Sequence, residues 1–259
     1  MKMNSALLLG AMCLLASTLS AQQIGGGTCS PASLNGAYSM VLDGRNLAST
    51  ETFTRVYQGV GIATFDGQNK VTFSLAANTN QALAISQTLS GFYTLQANCA
   101  GSVTISTGDT ATFVLETYNR GSNFLITGQD GAYVFTGSGN VAPSNCATGI
   151  VSGTYSFNGS GFALTSGAVT GVNDVSGLMT FDGKGAATVK WYVAAAGPIA
   201  VDTLSGTYNV TSSCSGSARL TNSAGAAYTF IFTVLASDGG FAVSGANALL
   251  MFNGNGRHL

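Results

Sequence analysis

The chain carries one module twice, and this constrains its fold more than any other feature. Leu34-Asn35-Gly36-Ala37-Tyr38-Ser39-Met40 returns as Val151-Ser152-Gly153-Thr154-Tyr155-Ser156-Phe157, displaced by 117 positions. Gly61-Ile62-Ala63-Thr64-Phe65-Asp66-Gly67 returns as Gly177-Leu178-Met179-Thr180-Phe181-Asp182-Gly183, displaced by 116. Thr88-Leu89-Ser90-Gly91-Phe92-Tyr93 answers Thr203-Leu204-Ser205-Gly206-Thr207-Tyr208 at 115. Two further blocks, starting at Phe124 and Phe135, recur from Phe241 and Phe252 at 117. The constant order and narrow drift mark a tandem duplication.

The cysteines follow the same arithmetic, with Cys29 mapping onto Cys146 and Cys99 onto Cys214. Four cysteines allow three pairings. A unit that folded alone before it was copied favours Cys29–Cys99 and Cys146–Cys214. Each bond closes a loop of about 70 residues, worth roughly 4 kcal/mol in the chain-entropy model. Metal ligation by these thiolates is disfavoured, because no C-x-x-C pair and no nearby histidine supplies the usual spacing. No metal and no cofactor is expected.

The N-terminus supplies the compartment in which such bonds persist. Met1-Lys2-Met3-Asn4-Ser5 precedes an apolar run from Ala6 to Ala16 and small residues up to Ala21. This is the pattern of a secretory signal peptide, and the run is shorter than the roughly 20 residues that span a bilayer. The expected division is a signal at 1–21, a first module at 22–138, a linker at 139–145 and a second module at 146–259. A bacterial protein, extracellular, at the cell surface or periplasmic, fits an oxidising environment.

Within each module the signals are those of strands. Val71-Thr72-Phe73-Ser74-Leu75 and Thr112-Phe113-Val114-Leu115-Glu116 are β-branched and aromatic runs bounded by turn residues. Tyr228, Phe230, Phe232 and Val234 alternate on one face. Eight or nine such runs per module must curl shut or split into two layers. Short connections favour an all-β fold of two tandem antiparallel up-and-down β-barrels, with two β-sandwiches as the alternative.

The motifs G-x-Y-x-F (Gly153 to Phe157), T-F-D-G (Thr180 to Gly183) and S-G-x-Y (Ser205 to Tyr208) through Cys214-Ser215-Gly216 resemble a module of uncharacterised secreted bacterial proteins. That module is in turn similar to calycin-type barrels of the allene oxide cyclase kind. The resemblance spans about residues 29 to 259. It implies a barrel and transfers no catalytic residue.

Chemistry-bearing residues are scarce. Only 7% of the chain is charged, against a typical share of roughly 25%, and its formal net charge is −1. Nucleic acid is excluded as a partner, since clustered Lys and Arg are missing. His258, the only histidine, lies beside the C-terminus, which leaves no base for a Ser-His-Asp arrangement. Asp66-Gly67 and Asp182-Gly183 fit hairpin turns of type I′ better than calcium sites, which need six to eight converging oxygens. Tyr38, Tyr93, Tyr155, Tyr208, Phe113 and Phe230 are the candidate cavity-lining residues, although buried tyrosines more commonly fill a core and tie their hydroxyls to backbone. Trp191, opposite Leu75 in the alignment, reads as packing; exposed, it would stack on sugar.

These readings lead to a secreted, non-enzymatic structural, adhesive or surface-associated module. The expected partners are extracellular matrix or polysaccharide. The alternatives are a carrier for a small apolar ligand, which an eight-stranded barrel can enclose, and a cyclase- or isomerase-like enzyme that shapes its substrate. A membrane-spanning role is not expected.

Overall fold

The fold comes from a computed structural model, which describes residues 28–47, 53–108, 110–195, 197–236 and 239–259. The expected signal peptide at 1–21 lies outside the described residues. Among them, no helix is long and apolar enough to cross a membrane.

The first repeat forms β1 (Asn35–Leu47), β2 (Phe53–Asp66), β3 (Lys70–Thr79), β4 (Ile85–Leu95), β5 (Ala100–Ile105), β6 (Ala111–Tyr118), β7 (Asn123–Gln129) and β8 (Val134–Val141). The second forms β9 (Ser152–Thr165), β10 (Ala168–Asp182), β11 (Ala186–Ala194), β12 (Ala200–Val210), β13 (Ser215–Asn222), β14 (Ala227–Val234), β15 (Phe241–Ala246) and β16 (Leu250–His258). Each set is a closed antiparallel barrel in meander order. Closure is made by β1 on β8, with Leu42 opposite Gly137, and by β9 on β16, with Gly161 opposite Phe252. Two barrels, not two sandwiches, are therefore the architecture, and closure leaves no open sheet edge. The segment expected as linker at 139–145 begins inside β8, whose pairing with β1 continues to Val141.

Alternation explains why these residues make barrels. In β6 the buried residues Ala111, Phe113, Leu115 and Thr117 alternate with exposed Thr112, Val114 and Glu116. Two separate cores result, one around Phe65, Phe73 and Phe124 and the other around Phe181, Trp191 and Phe252. Each half has its own disulfide, Cys29–Cys99 and Cys146–Cys214.

The disulfide end of each barrel is closed the same way. A short 3-10 turn, Pro31–Ser33 in one and Thr148–Ile150 in the other, lies across it. Tyr93 donates its hydroxyl hydrogen bond to Pro31 O (2.8 Å) or Leu34 O (3.1 Å), and Tyr208 donates to the matching Thr148 O (3.2 Å) or Val151 O (2.8 Å). A phenol holds each plug on the barrel floor.

At the same end, Asp66 Oδ1 accepts the backbone N–H groups of Gln68, Asn69 and Lys70 at 2.8–2.9 Å. Asp182 does likewise for Lys184, Gly185 and Ala186 at 2.7–2.9 Å. These connections are wider than the two-residue type I′ turn expected. Gly67 and Gly183 take positive φ (76° and 74°) but the aspartates do not, because each carboxylate gathers three consecutive N–H groups of the loop.

The barrels stand side by side with their disulfide ends pointing the same way. At that end Ser39 Oγ donates to Val234 O, and Ala236 N donates to Val141 O (3.1 Å). At the opposite end Asn80 Nδ2 donates to Gly167 O (2.8 Å). Between them lie two apolar patches, Val56 with Phe162, Leu164 and Met251, and Val60 with Ile231 and Ala242. Buried polar contacts complete the seam: Asn78 Nδ2 donates to Ser244 Oγ (2.9 Å), Ser244 Oγ to Gln58 O (3.1 Å), and Asn253 Nδ2 to Leu42 O (3.2 Å).

Asp43 faces this seam, within reach of Gln58 Nε2 (3.5 Å) and Asn253 Nδ2 (3.3 Å). Burial dominates these contacts and raises its carboxyl above the ordinary range, whereas the loop N–H groups hold Asp66 and Asp182 below it. The two kinds of aspartate therefore have opposite pH signatures. A raised carboxyl destabilises the fold as pH climbs above its unfolded value of about 4, and a depressed one stabilises it there. Thermal scans of Asp43→Asn should show a gain over the native chain at pH 7 that vanishes near pH 3. Asp182→Asn should show a loss at pH 7 that shrinks as pH falls through the depressed value.

Candidate functional site

The end of the first barrel opposite its disulfide holds a cavity of about 550 Å³. Its wall combines rings from several strands with aliphatic side chains from β3 and β4. Tyr57 enters from β2, Phe73 and Leu75 from β3, Leu89 from β4, Phe113 from β6 and Phe135 from β8. Tyr133, from the β7–β8 turn, completes the ring wall. Thr79, Gln81, Gln87 and Thr88 add polar groups, and Asp130 adds the one charged side chain of the described lining.

The ring positions are set by glycine. A Cβ placed on Gly44 would come within 2.5 Å of the Phe135 ring, and one on Gly128 would come equally close to Phe113. Bare backbone thus lets both rings lie against the wall; a side chain at Gly44 would push Phe135 inward, and one at Gly128 would also run into the Thr112 carbonyl oxygen. Ring-to-ring geometry is continuous along the arc. Tyr57 meets Phe135 edge-on at 5.7 Å, Phe135 is tilted against Phe113 at 5.9 Å, and Phe113 meets Phe73 at 6.4 Å.

Thr79 and Asp130 are engaged by the backbone of their own turns, whereas the Tyr57 hydroxyl is loosely held. Tyr57 donates to Gln87 Oε1 over 3.4 Å, a long contact. Burial, reinforced by Tyr133, drives the Tyr57 hydroxyl far above the ordinary phenol range, so it stays protonated and acts as a donor. Asp130 Oδ1 accepts the N–H groups of Ala132 and Tyr133, both at 2.6 Å, which makes it a turn carboxylate.

The second barrel treats the equivalent space differently. Trp191 stands where the first barrel has Leu75, and Tyr228 where it has Ala111. Trp191 is 1% exposed, and its ring meets Tyr228 at 5.1 Å, Phe252 at 5.8 Å and Phe230 at 5.9 Å. The indole is a core filler, not an exposed platform for sugar.

Of the residues singled out in the sequence, Phe113 lines the cavity and Phe230 packs on Trp191 in the other barrel. Tyr38, Tyr93, Tyr155 and Tyr208 sit at the disulfide end instead. Tyr38 donates to Gly121 O at 2.7 Å, and Tyr155 packs its ring on Phe181 at 5.6 Å. Asp66, Gly67, Asp182 and Gly183 form the loops at that same end. Sequence reasoning missed Tyr57, Phe73, Tyr133 and Phe135. A difference between the copies would have pointed to Tyr57, Phe73 and Tyr133, which align with Asn173, Val189 and Leu250, but not to Phe135, which recurs as Phe252.

Among the described residues no group of three or more His, Cys, Asp or Glu side chains is placed to hold a metal ion. No protein-family model matches the chain, and no curated protein matches it.

Proposed function

We propose that the protein is a secreted, non-enzymatic module that holds a small, largely apolar molecule in the first barrel. The cavity carries this reading. Its volume of about 550 Å³ falls within the roughly 300–1,000 Å³ of ordinary small-molecule sites, and its wall is mainly apolar with a few polar groups. Binding rather than catalysis is supported by the described lining, in which the one carboxylate is engaged by backbone. Secretion is supported by the signal-like N-terminus and by two disulfides, which persist in oxidising compartments. The outward residues of β11 and β12 mix polar Thr188, Lys190, Thr203 and Ser205 with exposed Tyr192 and Val201, which supports a wet outer surface where a membrane barrel carries a continuous apolar band. The calycin-type resemblance points the same way.

A second reading, adhesion to polysaccharide, draws on a groove of about 450 Å³ where Asn140, Asn158, Asn255 and Arg257 present polar groups. Retention on an insoluble polysaccharide that is lost in Asn158→Ala/Asn255→Ala would favour it.

The second barrel shows how to test the first. N-phenyl-1-naphthylamine should brighten on mixing with the native protein, and native mass spectrometry after mild purification should show a bound small molecule. Leu75→Trp, which copies the Trp191 filling, should abolish the brightening. Overpacking costs about 1–3 kcal/mol, so the variant should stay folded. Ala111→Tyr, which copies Tyr228, is the independent check. A native protein that leaves the probe dark and carries no small molecule would sink the proposal.

A further inference from the structure

We infer that the ligand of this cavity is a neutral, flat aromatic molecule bearing a hydrogen-bond acceptor, of the phenol or aryl-ketone kind. The inference rests on the binding role just proposed and narrows it to a chemical class.

Three observations point there. The first is the ring arc. Tyr57, Phe73, Phe113, Phe135 and Tyr133 are linked by neighbouring contacts at 5.6–6.4 Å, with interplanar angles from 34° to 89°. Aromatic rings prefer edge-to-face or offset partners at 4.5–7 Å, so a wall of tilted rings offers a guest ring both edges and faces. An alkyl chain would fill the same space without these directional contacts.

The second observation is rigidity. Phe135 and Phe113 rest against bare backbone at Gly44 and Gly128, so neither ring can retreat into the wall. Tyr57 and Phe135 are also buried in the core of the barrel. A wall fixed in this way selects by shape, and pre-organised rings lose little freedom when a guest binds.

The third is charge. Asp130 is the one charged residue of the described lining, and its Oδ1 is engaged by the N–H groups of Ala132 and Tyr133. The described lining thus offers a guest carboxylate no cation to pair with. What it offers is a donor. The Tyr57 hydroxyl reaches Gln87 Oε1 over 3.4 Å, and a guest oxygen at ordinary distance would be a better acceptor.

Calorimetric titration of the full chain with 2-naphthol, naphthalene, 1-octanol and octanoate tests each part. 2-Naphthol should bind about ten-fold more tightly than 1-octanol, as expected from a few ring–ring contacts, and octanoate should bind more weakly still. Tyr57→Phe should weaken 2-naphthol about three- to ten-fold, the range for one hydrogen bond, and leave naphthalene unchanged. Phe113→Leu should narrow the gap between 2-naphthol and 1-octanol. If 1-octanol or octanoate binds as tightly as 2-naphthol, the aromatic class is wrong while the binding site stands. Equal losses for 2-naphthol and naphthalene in Tyr57→Phe would remove the hydrogen-bond anchor from the inference. Binding of none of the four would overturn this inference together with the proposal it rests on.

Discussion

The controlling constraint is the cross-section of a closed eight-stranded barrel. Strand number and stagger together set the diameter, and eight strands leave an interior that side chains can just fill, or that can hold one small ligand. Closure through β1–β8 and β9–β16 sets this width before any side chain is chosen. The halves then differ in how the inward positions are spent. Leu75 and Ala111 leave room in the first barrel, while Trp191 and Tyr228 occupy the matching positions in the second.

Closure also dictates where specificity can reside. One end of each barrel carries the disulfide, the 3-10 turn and a phenol that holds the turn down through Pro31 and Leu34, or Thr148 and Val151. Those contacts are the same in both copies, so that end serves architecture. The opposite end carries the differing turns and the cavity. Variation at one end and sameness at the other is what a scaffold with a grafted site looks like.

Much of this was legible in the chain. The repeat and its cysteines gave the two units and the bonds within them, and alternation in segments such as β6 gave the inward faces. The seam between barrels was not legible, because Gln58, Asn78, Ser244 and Asn253 look like ordinary polar surface until another barrel covers them. One signal was available. Phe241–Ala246 carries Ser244 as its one polar side chain and is buried throughout, and Ile231 and Thr233 fall on the supposed outer face of β14 yet are buried. Strands covered on both sides read as continuous apolar runs rather than alternating ones. The cavity was missed because the copies were compared for likeness, and a site opened in one copy is written in their differences. Tyr57 against Asn173 and Ala111 against Tyr228 are such differences.

The asymmetry has an energetic logic. Opening a barrel removes packing contacts, and a protein keeps such a site only if stability is supplied elsewhere. Here the supply is visible. The filled barrel buries Trp191 among three rings, and its β10, β14, β15 and β16 pack on β2 of the open one. Val56 and Val60 of β2 meet that surface with their outer faces, while Tyr57, between them in sequence, points inward to the cavity. A single strand therefore has one face fixed by the neighbouring barrel and the other turned to the cavity. The second copy thus braces, through β2, the wall from which Tyr57 enters the cavity.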